Sequence, residues 1–263
     1  CDSDSLCCDR TTCEFAPPSA PCGGSGICEL GVCQVAAGRS SAGALLVYDF
    51  GNVVGGVISD ESGVTPALDL TITPVSAVVA KGGSISVIDE AVEISTAPTG
   101  AKITGPIEAG GDFTFEVWMQ PANDTQGAAQ PTARILSMSP DQSSRNFTIG
   151  QTGSTYVARL MSDTSNVNGQ PILHTRPGSV RTTGPTHLVV TRENNGARRM
   201  YLDGVLVDQS VLEGALPWDP LLPIRLAHEG VEPRPFLGTY YFLAIYEGAF
   251  SEERVAAHFL AGP

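Results

Sequence analysis

The sequence predicts an all-β protein with a short C-terminal helix, preceded by a small disulfide-rich module. Three observations carry this. Glycine and proline are plentiful, at 29 and 19 residues, while charged residues make up only 16%, a balance that suits many short strands joined by turns. From about residue 44 onward, short runs of β-prone residues recur, each bounded by Gly, Pro, Asn or Asp. All seven cysteines stand in the first 34 residues.

The N-terminal segment has almost no aliphatic core, so cross-links between Cys1, Cys7, Cys8, Cys13, Cys22, Cys28 and Cys33 are expected to replace hydrophobic burial. That requires an oxidising compartment and predicts a secreted or cell-surface protein. Zinc is the rival reading, but the segment lacks two separated C-x-x-C knuckles, and the adjacent Cys7-Cys8 pair is awkward for tetrahedral ligation. Seven is odd, so one cysteine is left unpaired within the chain. Cys1 pairs elsewhere, carries a lipid anchor as a bacterial lipoprotein cysteine does, or is free. The run CDSDSLCCDRTTCEFAPPSAPCGGSGIC resembles part of a disintegrin-like domain over residues 1–34. It contains no Arg-Gly-Asp, so integrin binding is not carried over and a rigid spacer is the expected role. QVAAGRSSAG, from Gln34 to Gly43, has the composition of a flexible connector, which places a linker at 35–43 and the second domain at 44–263.

In that domain, strands are expected at 45–50, 67–72, 113–119, 133–138, 147–151, 156–161, 187–192, 199–202, 224–227 and 240–246. Alternation is clearest at Phe113 to Met119: Phe113, Phe115, Val117 and Met119 share one face, expected as core, and Thr114, Glu116 and Trp118 share the other. Asn195-Gly196 and Asp203-Gly204 each lie between strand-like runs and predict two hairpins of one meander. The one convincing helix follows Ser251, a capping residue with Glu252 and Glu253 in the first turn.

The order of Leu46-Val-Tyr-Asp-Phe, Ile58-Ser-Asp-Glu-Ser-Gly, Phe113-Thr-Phe-Glu-Val-Trp-Met-Gln-Pro, Tyr201-Leu-Asp-Gly-Val and Leu237 to Tyr246 with Phe250-Ser-Glu-Glu resembles the laminin G-like, concanavalin A-like jelly roll. The resemblance implies two antiparallel sheets, glycan or protein ligands, and often a structural calcium ion. By resemblance, Asp49, Asp60 and Glu229 are where calcium is expected, although the family's aspartate opening the final strand is missing from Leu243-Ala-Ile245.

The formal charge of −13 argues against nucleic acid, and the closest approach to a basic stripe is Arg198-Arg199. Acidity of this degree favours divalent cations over anionic ligands. No apolar run reaches transmembrane length. Related β-glucanases carry Glu-x-Asp-x-x-Glu on one strand, because retaining hydrolysis needs two carboxylates about 5 Å apart. No such run occurs; Glu229-Gly-Val-Glu232 is the nearest pair. His174, His187, His228 and His258 lack zinc spacing and are expected to be structural, so no enzyme is predicted. Sugar binding would use aromatics with amide companions: Trp118, Trp218, Tyr156, Tyr240 and Tyr241 with Asn146, Gln151 and Asn168. Asn123-Asp-Thr125 and Asn146-Phe-Thr148 match glycosylation acceptors. The functions that fit are, in order, extracellular adhesion or recognition of a glycan or protein, a structural subunit that pairs with copies of itself, and a polysaccharide hydrolase or lyase.

Overall fold

A computed structural model describes residues 38–128, 132–230 and 234–263 in full, and three earlier strands by backbone alone. Those strands, β1 (Pro21–Cys22), β2 (Gly26–Glu29) and β3 (Val32–Gln34), form an antiparallel meander with Cys28 opposite Cys33. The disulfide, lipid-anchor and disintegrin-like expectations fall outside the described side chains.

The sandwich opens on β4 (Ala44–Asp49). It continues through the small hairpin β5 (Val53–Val54) and β6 (Val57–Ile58), then β7 (Leu70–Thr73), β8 (Val78–Ala80), β9 (Ile85–Val87) and β10 (Glu93–Pro98) to helix α1 (Ala101–Gly110). Next come β11 (Phe113–Pro121), β12 (Ala133–Met138), β13 (Phe147–Thr152), β14 (Thr155–Leu160) and β15 (Leu173–His174). β16 (Thr186–Arg192), β17 (Ala197–Leu202), β18 (Val205–Val211), β19 (Pro223–Leu226), β20 (Gly238–Glu247) and helix α2 (Glu252–Leu260) complete the chain.

Two antiparallel sheets result. One runs β15-β14-β13-β12-β19-β10-β7-β6-β5; the other runs β18-β17-β16-β11-β20-β9-β8, with β4 also paired to β20. Each expected strand is present within a few residues. The expected meander is β16-β17-β18, and Asp203 and Gly204 adopt the positive φ values, 51° and 78°, that a tight hairpin requires. Ser251 caps α2 through its side chain, which accepts from the Arg254 N–H.

Helix α1 is a correction to the single-helix expectation. Gly105 and Pro106 lie inside it and disguise its pattern, yet Ile103 and Ile107, one turn apart, are buried in the core, so tertiary packing outweighs the local penalty. Within the expected linker, Arg39 stacks its guanidinium 3.6 Å over the Phe242 ring, which binds the residues just before β4 to the sandwich.

The main core lies between the sheets, where Phe113 and Phe115 pack against Phe147 and Trp218 with ring centroids 4.3 to 6.4 Å apart. β11 was expected to bury one face, but it buries both. Its second face, carrying Glu116 and Trp118, is covered by α2 and residues 39–42. There the Glu116 carboxylate, fully buried, accepts from His187 Nε2 at 3.1 Å, His258 Nδ1 at 2.8 Å, the Tyr246 hydroxyl at 3.0 Å and Arg39 Nε at 3.2 Å. Burial alone would raise this carboxyl, but the hydrogen bonds from both histidines, with Arg39 nearby, outweigh it and hold the group well below its ordinary range. The structural role expected for His187 and His258 is this knot.

Candidate functional site

The outer face of the β12–β14 sheet carries the most unusual chemistry of the described residues. Along β14, Tyr156, Ala158 and Leu160 enter the core, so Arg159 between them points outward. Arg134 does the same between Ala133 and Ile135 on β12. Its Cα partner on β13 is Gly150, where an added Cβ would come within 2.3 Å of the Ala133 carbonyl, so only glycine permits this close approach. Arg145 enters from the turn before β13 and Arg234 from the segment before β20.

Three of these four arginines pair with one acid, and Arg159 lines the same cleft. Glu229, fully buried, lies 2.6 Å from Arg134 Nη2, 3.3 Å from Arg234 Nε and 3.7 Å from Arg145 Nη1, and it accepts from the Ser139 hydroxyl at 3.0 Å. Arg134 also donates to the Thr132 carbonyl, and Arg145 to the Gln142 carbonyl and the Thr148 hydroxyl. The cleft above them has a volume of about 300 Å³ and is lined by the four arginines with Thr132, Gln142, Ser143 and Asn168.

Among the described residues, three of the four guanidinium groups at this cleft pair with one buried carboxylate, Glu229, in a chain whose formal net charge is −13. Burial, and next the neighbouring Arg134, pull the Arg145 guanidinium down to about 10, so it stays charged at neutral pH but would gain from a further anion. Burial and the proximity of Arg234 also lower Arg159. Nε of Arg134, Nε of Arg145 and Nη1 of Arg159 are buried N–H groups with no acceptor among the described residues. Such groups are costly to leave unpaired.

A family profile described as the concanavalin A-like lectin/glucanases superfamily matches residues 95–256, which include all four arginines and Glu229. The chain belongs to this superfamily. No curated protein sequence matches the chain. Among solved structures, the binding domain of botulinum neurotoxin DC in complex with rat synaptotagmin II is similar at 12% identity and a TM-score of 0.60, over 83% of this chain and 51% of that one. The same toxin's binding domain in complex with SialylT gives 13% and 0.60 over 84% and 51%. The botulinum neurotoxin type G receptor binding domain gives 14% and 0.58 over 82% and 50%. At these identities the likeness shows the fold alone. The chain spans about half the length of these structures.

The superfamily frame explains where the residues singled out in the sequence lie. Asn168 lines the cleft, and Glu229 is buried and paired with three of the arginines that line it. The other ligand candidates are corrected. Trp118 is buried against His187 and Phe259, Trp218 lies in the aromatic core, and Tyr156 and Tyr240 are fully buried, so none offers a ring face to a sugar. Tyr241 donates its hydroxyl to Gln120. Gln151 is buried and donates to the Asn123 and Gly153 carbonyls. Asn146 exchanges two hydrogen bonds with the Asp219 backbone, which also removes it as a glycosylation acceptor in the folded chain, whereas Asn123 is exposed.

The residues proposed for calcium are not brought together. Glu229 is held by arginines, Asp60 by Lys102, and Asp49 accepts from the Gly51 N–H. Among the described residues no group of three or more His, Cys, Asp or Glu side chains is assembled, so the donor set does not fit a calcium ion.

Sequence reasoning missed the cleft because its arginines run from position 134 to position 234, in no shared motif. The available signal was a charged residue at an alternating position in two otherwise apolar strands, Ala133-Arg-Ile-Leu and Val157-Ala-Arg-Leu.

Proposed function

We propose that this chain is a non-catalytic recognition domain that binds a glycan or protein ligand through an acidic group, a carboxylate or a sulfate ester, seated in the arginine cleft. The gathering of Arg134, Arg145, Arg159 and Arg234 around one cleft carries this reading, because it places four guanidinium groups along an open concavity. Guanidinium forks match planar or tetrahedral oxyanions with paired hydrogen bonds. Membership in a superfamily that includes lectins supports a carbohydrate ligand, and the cysteine-rich N-terminal segment supports an extracellular setting. Among the described residues one carboxylate, Glu229, pairs with the arginines of the cleft, where retaining or inverting hydrolysis uses two.

Isothermal titration with sulfated, carboxylated and neutral oligosaccharides tests the reading. The acidic ligands should bind and weaken as salt rises, and the neutral ones should not. Arg159→Ala should weaken binding about tenfold or more, given roughly 1.5 to 3 kcal/mol for a hydrogen bond to a charged group, with little change in melting temperature. Equal binding of neutral and acidic sugars, or full affinity in Arg159→Ala, would overturn it.

A further inference from the structure

Lys102, in the first turn of α1, is fully buried, and its ammonium is surrounded by oxygen. It donates to Oδ2 of Asp60 and to the main-chain carbonyls of Val64 and Pro66, at 2.6 and 2.8 Å, with the Ser62 hydroxyl at 3.4 Å. All four acceptors belong to one loop. The Asp60 carboxylate is itself fixed from behind: Oδ1 accepts from the N–H groups of Val47 and Ser62, and Oδ2 from that of Leu68. A carboxylate, two carbonyls and a hydroxyl on a single turn are the hard-oxygen set with which a loop holds a divalent cation.

We propose that residues 60–66 form a cation-binding loop whose cation is the Lys102 ammonium, a tethered substitute for a dissociable metal ion. The chain has two lysines, and the other, Lys81, is exposed. The ammonium's three N–H groups meet enough acceptors to satisfy all of them, and one lysine neutralises one aspartate without leaving net charge in the interior. A calcium ion would need six to eight oxygens and would have to displace this group. Because the cation is covalently part of α1, the loop is joined to the helix at every cation concentration, and a chelator has nothing to remove. This inference concerns a site apart from the arginine cleft and does not depend on the ligand bound there.

The test is thermal unfolding of the intact chain and of K102A, each in chelator, in millimolar calcium and in millimolar ethylammonium at matched ionic strength. The wild-type transition should stay at one temperature throughout. K102A should melt roughly 10 °C lower in chelator, as expected when one partner of a buried pair is removed, and should regain part of the loss with calcium or ethylammonium. K102A unfolded in chelator is read in the same way, by whether the added cation restores a cooperative transition. Independently, wild-type protein labelled with ¹⁵N-lysine should give one ammonium resonance protected from exchange. A wild-type transition raised by calcium, a K102A loss that neither cation reverses, or two freely exchanging ammonium groups would each overturn the proposal.

Discussion

Glu229→Gln separates two effects that a merely structural cluster would not separate. The carboxylate is fully buried and within 3.7 Å of three arginines. Removing one partner from a buried ionic group costs about 3 to 5 kcal/mol, and the open mouth of the cleft places the value near the lower end, about 3 kcal/mol. For a domain of this size that is a fall in melting temperature of roughly 6 to 12 °C. Ligand binding should move the other way. Glu229 repels an incoming anion; a unit charge about 5 Å away at an effective dielectric of about 20 contributes roughly 3 kcal/mol. Allowing half of that for screening at the mouth, the acidic ligand should bind Glu229→Gln about tenfold more tightly. A saturating anion should restore stability as well, by about 2.7 kcal/mol at one hundred times its dissociation constant. Tryptophan-monitored melting and titration calorimetry on the same samples read both quantities. Unchanged stability, or an affinity that falls with the carboxylate, would refute the electrostatic account of the cleft.

Three further outcomes follow from the packing. Gly150→Ala places a methyl against the Ala133 carbonyl and the Thr132 side chain, so it should destabilise the fold by about 1 to 3 kcal/mol in urea unfolding and weaken anion binding by displacing Arg134. Trp118→Ala should release α2, seen as faster amide exchange over Glu252–Leu260, while leaving ligand affinity unchanged, because this ring packs on Phe259 and not on a sugar. The Glu116 knot should make the domain acid-labile. Burial, outweighing the pull of Glu116, lowers His187 from its ordinary 6.5, so below that pH the unfolded chain takes up a proton that the folded chain refuses. Glu116 is depressed from 4.5, so its contribution is complete above that pH and fades as pH falls further. Stability measured from pH 7 to 3 should therefore decline in two limbs, and His187→Gln should remove the upper one.

The fold was legible because strands and hairpins announce themselves locally. Phe113 to Met119 alternates, and Asp203-Gly204 turns tightly whatever surrounds it. Helix α1 was hidden because Gly105 and Pro106 contradict it locally, and the buried pair Ile103 and Ile107 decides the matter only once the sheets are in place. The site was hidden for a related reason. A net charge of −13 argues against anionic ligands only if charges are spread evenly, and this fold collects four of its arginines at one point. The aromatic residues were misassigned because ring type does not reveal which side of a strand a residue occupies once both faces are covered, as they are at Trp118.

The covering of that second face also has a mechanical consequence. Arg39 reaches both Glu116 and the Gly262 carbonyl, Ser40 donates to His258, and Arg254 donates to the Ala42 carbonyl, so the two ends of the sandwich are sewn together at one point on the β11–β20 sheet. The arginine cleft lies on the opposite outer face. Tension applied between residues 39 and 262 would meet this seam before it reached any strand ladder. The seam is held by a carboxylate bonded to two imidazoles and a guanidinium, so a ligand on the far face would not feel the load until those bonds had parted.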